Sequence, residues 1–407
     1  MNLPRLDKES SLPADMSIPP VLAEAGQASR IKTCPKSSTT GPFRPTLAPL
    51  TSLRFFAAVA VFLSHPWFVP NNSIIQWLNV RIFSEGYSGV TFFFVLSGFI
   101  LTYNYHDRLA TLDRREIKSF FVARFARIYP VHFLTFLISI PLVWDLIIRF
   151  PFTSLVKAVL SLLVLQSFIP IYSVYFSYNM PSWSLSDEFF FYALLPFILF
   201  ALTFWGGKRG MSPILIAAGV WLLAFVLVFL GRNLNGGTAS IGHWLFYIFP
   251  PFRLVDFFAG VALGLTFLKL SGISLAKRWW TLLEISTVIG ILGLVFFSNR
   301  VNPVFRYGVY YLPLFSFMIF VFAFHGGRLS DILCLKWLTF LGDASYSFYM
   351  FHLLVLRYMV WTDSGKTICQ THPIAASLSA FGATVILSGL CYEFFEKPMR
   401  ARIKQIL

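Results

Sequence analysis

Charge is what this sequence has least of. Only 13% of its 407 residues are Asp, Glu, Lys or Arg, against about 25% in an ordinary soluble domain. The acidic sign is scarcer still, with 18 Asp and Glu against 33 Lys and Arg and a formal net charge of +15. A water-soluble globular fold is excluded by that shortage. The four cysteines, Cys34, Cys334, Cys369 and Cys391, are scattered without CxxC spacing, so neither a disulfide framework nor a zinc site is indicated. The alternating segments of about ten residues that mark a membrane β-barrel are missing too. No secretory signal opens the chain: residues 1–45 are rich in Pro, Ser, Thr and Lys, lack an apolar stretch and read as a disordered tail.

Apolar residues make up 57% of the sequence, and the mean hydropathy is +0.69. They come in runs of roughly 20, the length a helix needs to cross hydrocarbon. Eleven such windows fall near 50–70, 86–105, 129–150, 153–170, 188–205, 212–231, 251–270, 279–298, 307–325, 338–360 and 373–395. The basic residues sit between them. Arg108, Arg114, Arg115, Lys118, Arg124 and Arg127 share one gap, and Lys208-Arg209, Lys277-Arg278, Arg328 with Lys336, and the stretch Lys397 to Lys404 mark others. The positive-inside bias puts all of these on one side of the membrane. They agree only if the 153–170 window enters and leaves by the same face. The expectation is therefore an all-α transmembrane bundle of about ten spans, one re-entrant or interfacial segment, and both termini cytosolic. Residues 1–46 form the N-terminal tail, 47–400 one membrane domain and 401–407 a short C-terminal tail. Basic charge spread through the gaps speaks for lipid contact and orientation, not nucleic-acid binding.

Ionisable groups inside such spans are costly, which makes each a functional candidate. Arg54 and His65 lie eleven residues apart in the first window, which on a helix is about three turns plus 20° and roughly 16 Å. Both then share one face, Arg54 near the cytosolic mouth and His65 beyond mid-membrane. A buried imidazole stays neutral and can act as a general base; the plainer alternative is a structural histidine bonded to a neighbouring helix. Arg124 and Arg127, at i and i+3, could grip phosphates or simply anchor the helix. Glu188, with Asp187 beside it, opens a span after an aromatic loop, where Trp183 suits an interfacial belt. Ser345, Tyr349 and His352 occupy i, i+4 and i+7 of another window, and His352 is the rival base. Glu393, Glu396 and Lys397 read as a structural helix end. The remaining histidines, His106, His132, His243, His325 and His372, read as interfacial or loop residues with no metal-ligand spacing, so no metal is expected.

The Arg54 to His65 pattern resembles the signature of the acyltransferase-3 family of membrane O-acyltransferases. Further blocks resemble the family in the same order: Phe92 to Phe99, Phe121 to Pro130, Pro181 to Tyr192, Pro251 to Gly260, Leu341 to His352 and Tyr392 to Pro398. The resemblance implies transfer of an acyl group, most simply acetyl, from cytosolic acyl-CoA (acetyl-CoA) to a hydroxyl of a cell-surface or exported glycan. It implies His65 and Arg54 as catalytic residues and Arg124 and Arg127 as the acyl-CoA clamp. Trp183, Ser184, Glu188, Arg253, Ser345, Tyr349 and His352 would stand around the acceptor. Expected partners are acyl-CoA, a glycan or lipid-linked sugar, membrane lipids and glycan-assembly proteins, in a bacterial cytoplasmic membrane. A small-molecule acceptor such as a macrolide is the alternative within the chemistry. A transporter or flippase is the alternative outside it, disfavoured because no repeated halves are visible.

Overall fold

The computed structural model describes residues 44–65, 73–209, 212–234, 237 and 239–406. Nearly all of the N-terminal segment, with Cys34, lies outside the described residues, as do the side chains of Lys208 and Arg209. Among the described residues there is no strand. Among the described residues, each of the eleven apolar windows contains helix. The principal helices are α1 (Ala48–Leu63), α2 (Gly89–Leu109), α3 (Arg114–Ser139), α4 (Pro151–Leu162), α5 (Trp183–Arg209), α6 (Pro213–Leu230), α7 (Pro250–Leu270), α8 (Lys277–Phe297), α9 (Leu312–Ala323), α10 (Lys336–Asp343), α11 (Ser345–Met359), α12 (Pro373–Cys391) and α13 (Lys397–Ile406). Among the described residues, seven helical segments are long and apolar enough to cross a membrane, and α1, α4 and α9 are shorter apolar helices. At twelve residues, α4 is about 18 Å long, well under the ~30 Å of hydrocarbon.

Glycines set the centre of the bundle. A Cβ on Gly98 of α2 would stand 2.1 Å from the Phe257 carbonyl oxygen of α7, and one on Gly260 of α7 1.9 Å from that of Val95. Small residues therefore let the two backbones touch, which is how membrane helices gain contact without a hydrophobic drive between them. Phe191 of α5 stacks on Phe257 at 5.0 Å and closes a second side of this pair. By contrast α6 and α8 turn Leu215, Leu222, Leu223, Ile289 and Leu292 outward. A continuous apolar exterior of that kind is a lipid-facing surface.

Backbone contacts also fix α1. The Gly342 position at the end of α10 abuts the Thr51 carbonyl, and Gly86, in the 3₁₀ turn Phe83–Ser88, abuts that of Ala60. Ser52 Oγ donates to the Leu333 carbonyl at 2.5 Å. Near the C-terminus, α12 runs through a π-turn, Tyr392–Glu396, into α13. The inserted residue of a π-turn rotates the following side chains. Glu393 stays exposed and pairs with Lys397 at 2.8 Å. Glu396 turns inward instead, 2% exposed, and accepts from Ser347 Oγ at 2.8 Å.

Candidate active site

A basic chamber and an imidazole chamber both open beside α1. The smaller, about 180 Å³, is lined by Arg54, Arg124, Arg127, Glu188, Tyr192 and Asp343, among others. It is a basic chamber. The charged neighbours of Arg54 are Arg127, Asp343, Glu396 and Glu188, while Arg400 and Lys404 of α13 lie within the field of Arg124 and Arg127. Five cations thus face three carboxylates, and the excess positive charge suits a polyanion. Tyr192 Oη donates to Glu188 Oε2 at 2.8 Å. Arg124 donates to Tyr105 Oη at 3.2 Å and lies over the Tyr105 ring, yet its Nε–H is buried without a partner.

The larger chamber, about 680 Å³, holds His65, His352, Tyr349 and Trp183, with Glu85 and Arg306 on its wall. α1 ends at Leu63, so His65 hangs from the turn just beyond the helix and not from the helix face itself. Its Nδ1 lies 2.8 Å from the Val61 carbonyl oxygen. His352 repeats the arrangement, Nδ1 lying 2.5 Å from the Tyr349 carbonyl oxygen. A carbonyl only accepts, so each Nδ1 carries the proton and each neutral ring keeps its lone pair on Nε2. The rings meet edge to face with centroids 5.2 Å apart, and Nε2 of His352 has no partner. Two proton acceptors of fixed tautomer therefore stand side by side.

An aromatic contact joins the linings of the two chambers. Phe93 lines the basic one and Tyr349 the other, with ring centroids 6.1 Å apart. Tyr349 is held by Ser184, whose Oγ donates to its hydroxyl at 3.1 Å, and its own hydroxyl donates to the Pro181 carbonyl at 3.2 Å.

The residues singled out in the sequence divide between these places. Arg54, Arg124, Arg127 and Glu188 come together in the basic chamber, and His65, Trp183, Tyr349 and His352 in the other. Arg54 and His65 thus do not share one cavity. Glu188 faces the arginines, so it neither orients an imidazole nor shares the surroundings of Asp187, which is fully buried towards Arg253 and Asp256. Arg253 lines neither chamber. It bonds the Tyr307 carbonyl, Thr91 at 2.9 Å and Asp256 at 2.9 Å, and so braces the wall from behind. Ser345 is buried and also lines neither. His132 and His243 are buried: His132 ties α3 to the Ser161 carbonyl at 3.0 Å, and His243 lines the larger chamber. Sequence reasoning missed Asp343, Glu396, Arg400 and Lys404 at the basic chamber and Glu85 and Arg306 at the other. Asp343 and Glu396 did lie inside blocks that carried the family resemblance, but nothing in their spacing gave them a role.

The comparisons with known proteins agree with this architecture. The family model described as an acyltransferase domain matches residues 49–393. Acyltransferase MdmB of Streptomyces mycarofaciens is 27% identical over 377 residues, covering 86% of this chain and 91% of that protein. O-acetyltransferase OatA of Staphylococcus aureus is 23% identical over 88% of this chain, and Peptidoglycan O-acetyltransferase OatA of Listeria monocytogenes 24% over 89%. The chain spans only 58% and 57% of those two relatives. No solved structure matches the chain. With its apolar helical bundle and a family match over most of its length, the chain belongs to the acyltransferase-3 family of integral-membrane O-acyltransferases.

Proposed function

We propose that this enzyme moves an acetyl group from cytosolic acetyl-CoA to a hydroxyl of a cell-surface or exported glycan, in a bacterial cytoplasmic membrane with both termini in the cytosol. The observation that carries the reading is the pairing of a basic chamber with an imidazole chamber along one helix, their linings in contact through Phe93 and Tyr349. The anionic nucleotide end of the donor suits Arg124, Arg127, Arg400 and Lys404. Arg54 stands deeper and steadies the donor beyond its phosphates. The pantetheine arm passes the Phe93–Tyr349 contact and brings the thioester to the imidazoles, a distance on the order of the ~16 Å that eleven helical residues span.

His65 Nε2 takes the proton of the acceptor hydroxyl as its oxygen attacks the thioester carbonyl. The C–O bond forms, the C–S bond breaks and CoA leaves as its thiolate. The proton on His65, or its equivalent from water, finally passes to the CoA thiolate and gives the free thiol. Holding donor carbonyl and acceptor oxygen together supplies the rest of the acceleration. The glycan acceptor is supported by the name of the Listeria relative, a peptidoglycan O-acetyltransferase, and not by the geometry. A small-molecule acceptor fits the same chamber.

The test is transfer of labelled acetyl from acetyl-CoA by the full chain in lipid nanodiscs, offered both a membrane glycan fraction and a panel of hydroxylated small molecules. Ester formation on the glycans, lost in His65→Ala while the variant remains folded, is the expected result. Label reaching only the small molecules would overturn the glycan acceptor. Undiminished transfer by His65→Ala would overturn the base.

A further inference from the structure

The larger chamber contains an ion pair that the transfer chemistry above does not use. Glu85 stands on the 3₁₀ turn Phe83–Ser88 and is 2% exposed. Its Oε1 pairs with Arg306, and its Oε2 accepts from Tyr311 at 2.7 Å and from Tyr87 at 3.2 Å. Three donors saturate the carboxylate and hold it still. Arg306 is different. A guanidinium has five N–H donors in a rigid fork, and among the described residues its one hydrogen bond is to Glu85, with Nε–H buried and unpaired. Both residues line the cavity that holds His65 and His352. Around them stand Tyr247, Tyr307 and Trp183. Tyr247 meets Tyr307 at 5.5 Å, Tyr87 at 5.6 Å and Trp183 at 4.9 Å between ring centroids.

We infer that Arg306, aimed by Glu85, is the acceptor-recognition residue, forking onto the hydroxyl oxygens of an uncharged sugar ring that packs on the Tyr247–Tyr307–Trp183 wall. This rests on the reading of the enzyme as one that acylates a sugar hydroxyl. Charge chooses the class. Glu85 cancels the charge of Arg306, so the subsite has no net pull on a carboxylate, whereas its spare donors still seek neutral oxygens. Apolar and aromatic walls with a few fixed polar groups are what a small-ligand pocket consists of, and 680 Å³ lies within the usual range of about 300–1,000 Å³. Arg306 touches the acceptor away from the bond that forms, so it governs binding and not the chemical step.

The alternative is a plain structural tie between the 83–88 turn and the short helix Pro303–Arg306. Arg306→Lys separates the two. Lysine keeps a cation beside Glu85, and with it the tie, but it cannot fork. The probes are methyl β-glucopyranoside, its N-acetylglucosamine counterpart and methyl β-glucuronide, titrated by saturation-transfer NMR onto the full chain in nanodiscs. The expected result is an about tenfold or greater loss of affinity for the neutral glycosides in Arg306→Lys, as for one or two lost charge-assisted hydrogen bonds. Its thermal midpoint should be unchanged, and in turnover KM for the glycoside should rise with kcat nearly preserved. Wild-type affinity in Arg306→Lys, or tighter binding of the glucuronide by the wild type, overturns the inference. So does a wild type that turns over donor yet binds no glycoside, an outcome that leaves O-acyl transfer standing. Conversely, a chain that binds the glycosides through Arg306 but consumes no acetyl-CoA sinks the donor assignment and leaves the subsite intact.

Discussion

The paired imidazoles make a demanding prediction. Replacing His65 by Ala removes the proposed base, and loss of a positioned general base costs roughly 10²–10⁴ in rate. His352 has the same tautomer, an unpaired Nε2, and a ring centroid 5.2 Å from that of His65. At that separation both lone pairs can serve a single acceptor proton, so the two rings should behave as one unit. Residues that act as a unit are non-additive: removing the second costs little once the first is gone. His65→Ala and His352→Ala should each slow acetyl transfer by at least about tenfold, the former by roughly 10³, or about 4 kcal/mol of barrier. Adding His352→Ala to His65→Ala should cost less than about threefold more, a coupling that a double-mutant cycle reads directly. The assay is initial-rate transfer of labelled acetyl in nanodiscs, with thermal midpoint and gel-filtration profile as controls for folding. Multiplying effects would mean two independent roles and refute the shared-proton reasoning. A His352→Ala enzyme with full activity would refute it equally.

Two further expectations concern the rest of the machinery. Arg124→Ala and Arg127→Ala should each raise KM for acetyl-CoA by about tenfold, in keeping with one lost charge-assisted contact. Neither should change KM for acetyl-pantetheine, which lacks the nucleotide; equal losses on both donors would remove the phosphate role. Away from the site, Glu284 is fully buried and accepts from the backbone N–H groups of Gly327, Leu329 and Ser330 and from Ser330 Oγ at 2.5 Å. Glu284→Ala strands those donors and should destabilise the fold by roughly 2–4 kcal/mol, seen as a lower thermal midpoint, with Glu284→Gln recovering part of it.

Membrane character and helical content were legible because they are summed over hundreds of residues. At 153–170, where loop charge disagreed with simple alternation, the helix is only twelve residues long. Local geometry was less legible. Helical periodicity placed Arg54 and His65 on one helix face, but α1 ends at Leu63 and the two side chains line different cavities. Glu396 read only as part of a structural helix end, and its inward turn stayed hidden because a π-turn leaves no mark on hydropathy. Glu85 and Arg306 are 221 positions apart. Their meeting is a product of tertiary packing, and no window along the sequence contains both.

Gly86 shows how far such packing reaches. A methyl group there would lie 1.8 Å from the Ala60 carbonyl oxygen, so the turn that carries Glu85 rests directly on the backbone of α1, five residues before His65. Any side chain at 86 would wedge the acceptor wall away from the base. In a saturation screen for lost activity this glycine would therefore score beside the histidines, although it exchanges no proton and touches no substrate. Added imidazole could restore turnover to a protein lacking the His65 ring, whereas no diffusible reagent can supply a missing ångström of clearance. Rescue chemistry, and not the severity of the defect, is what would sort the reacting groups of this enzyme from the residues that set their spacing.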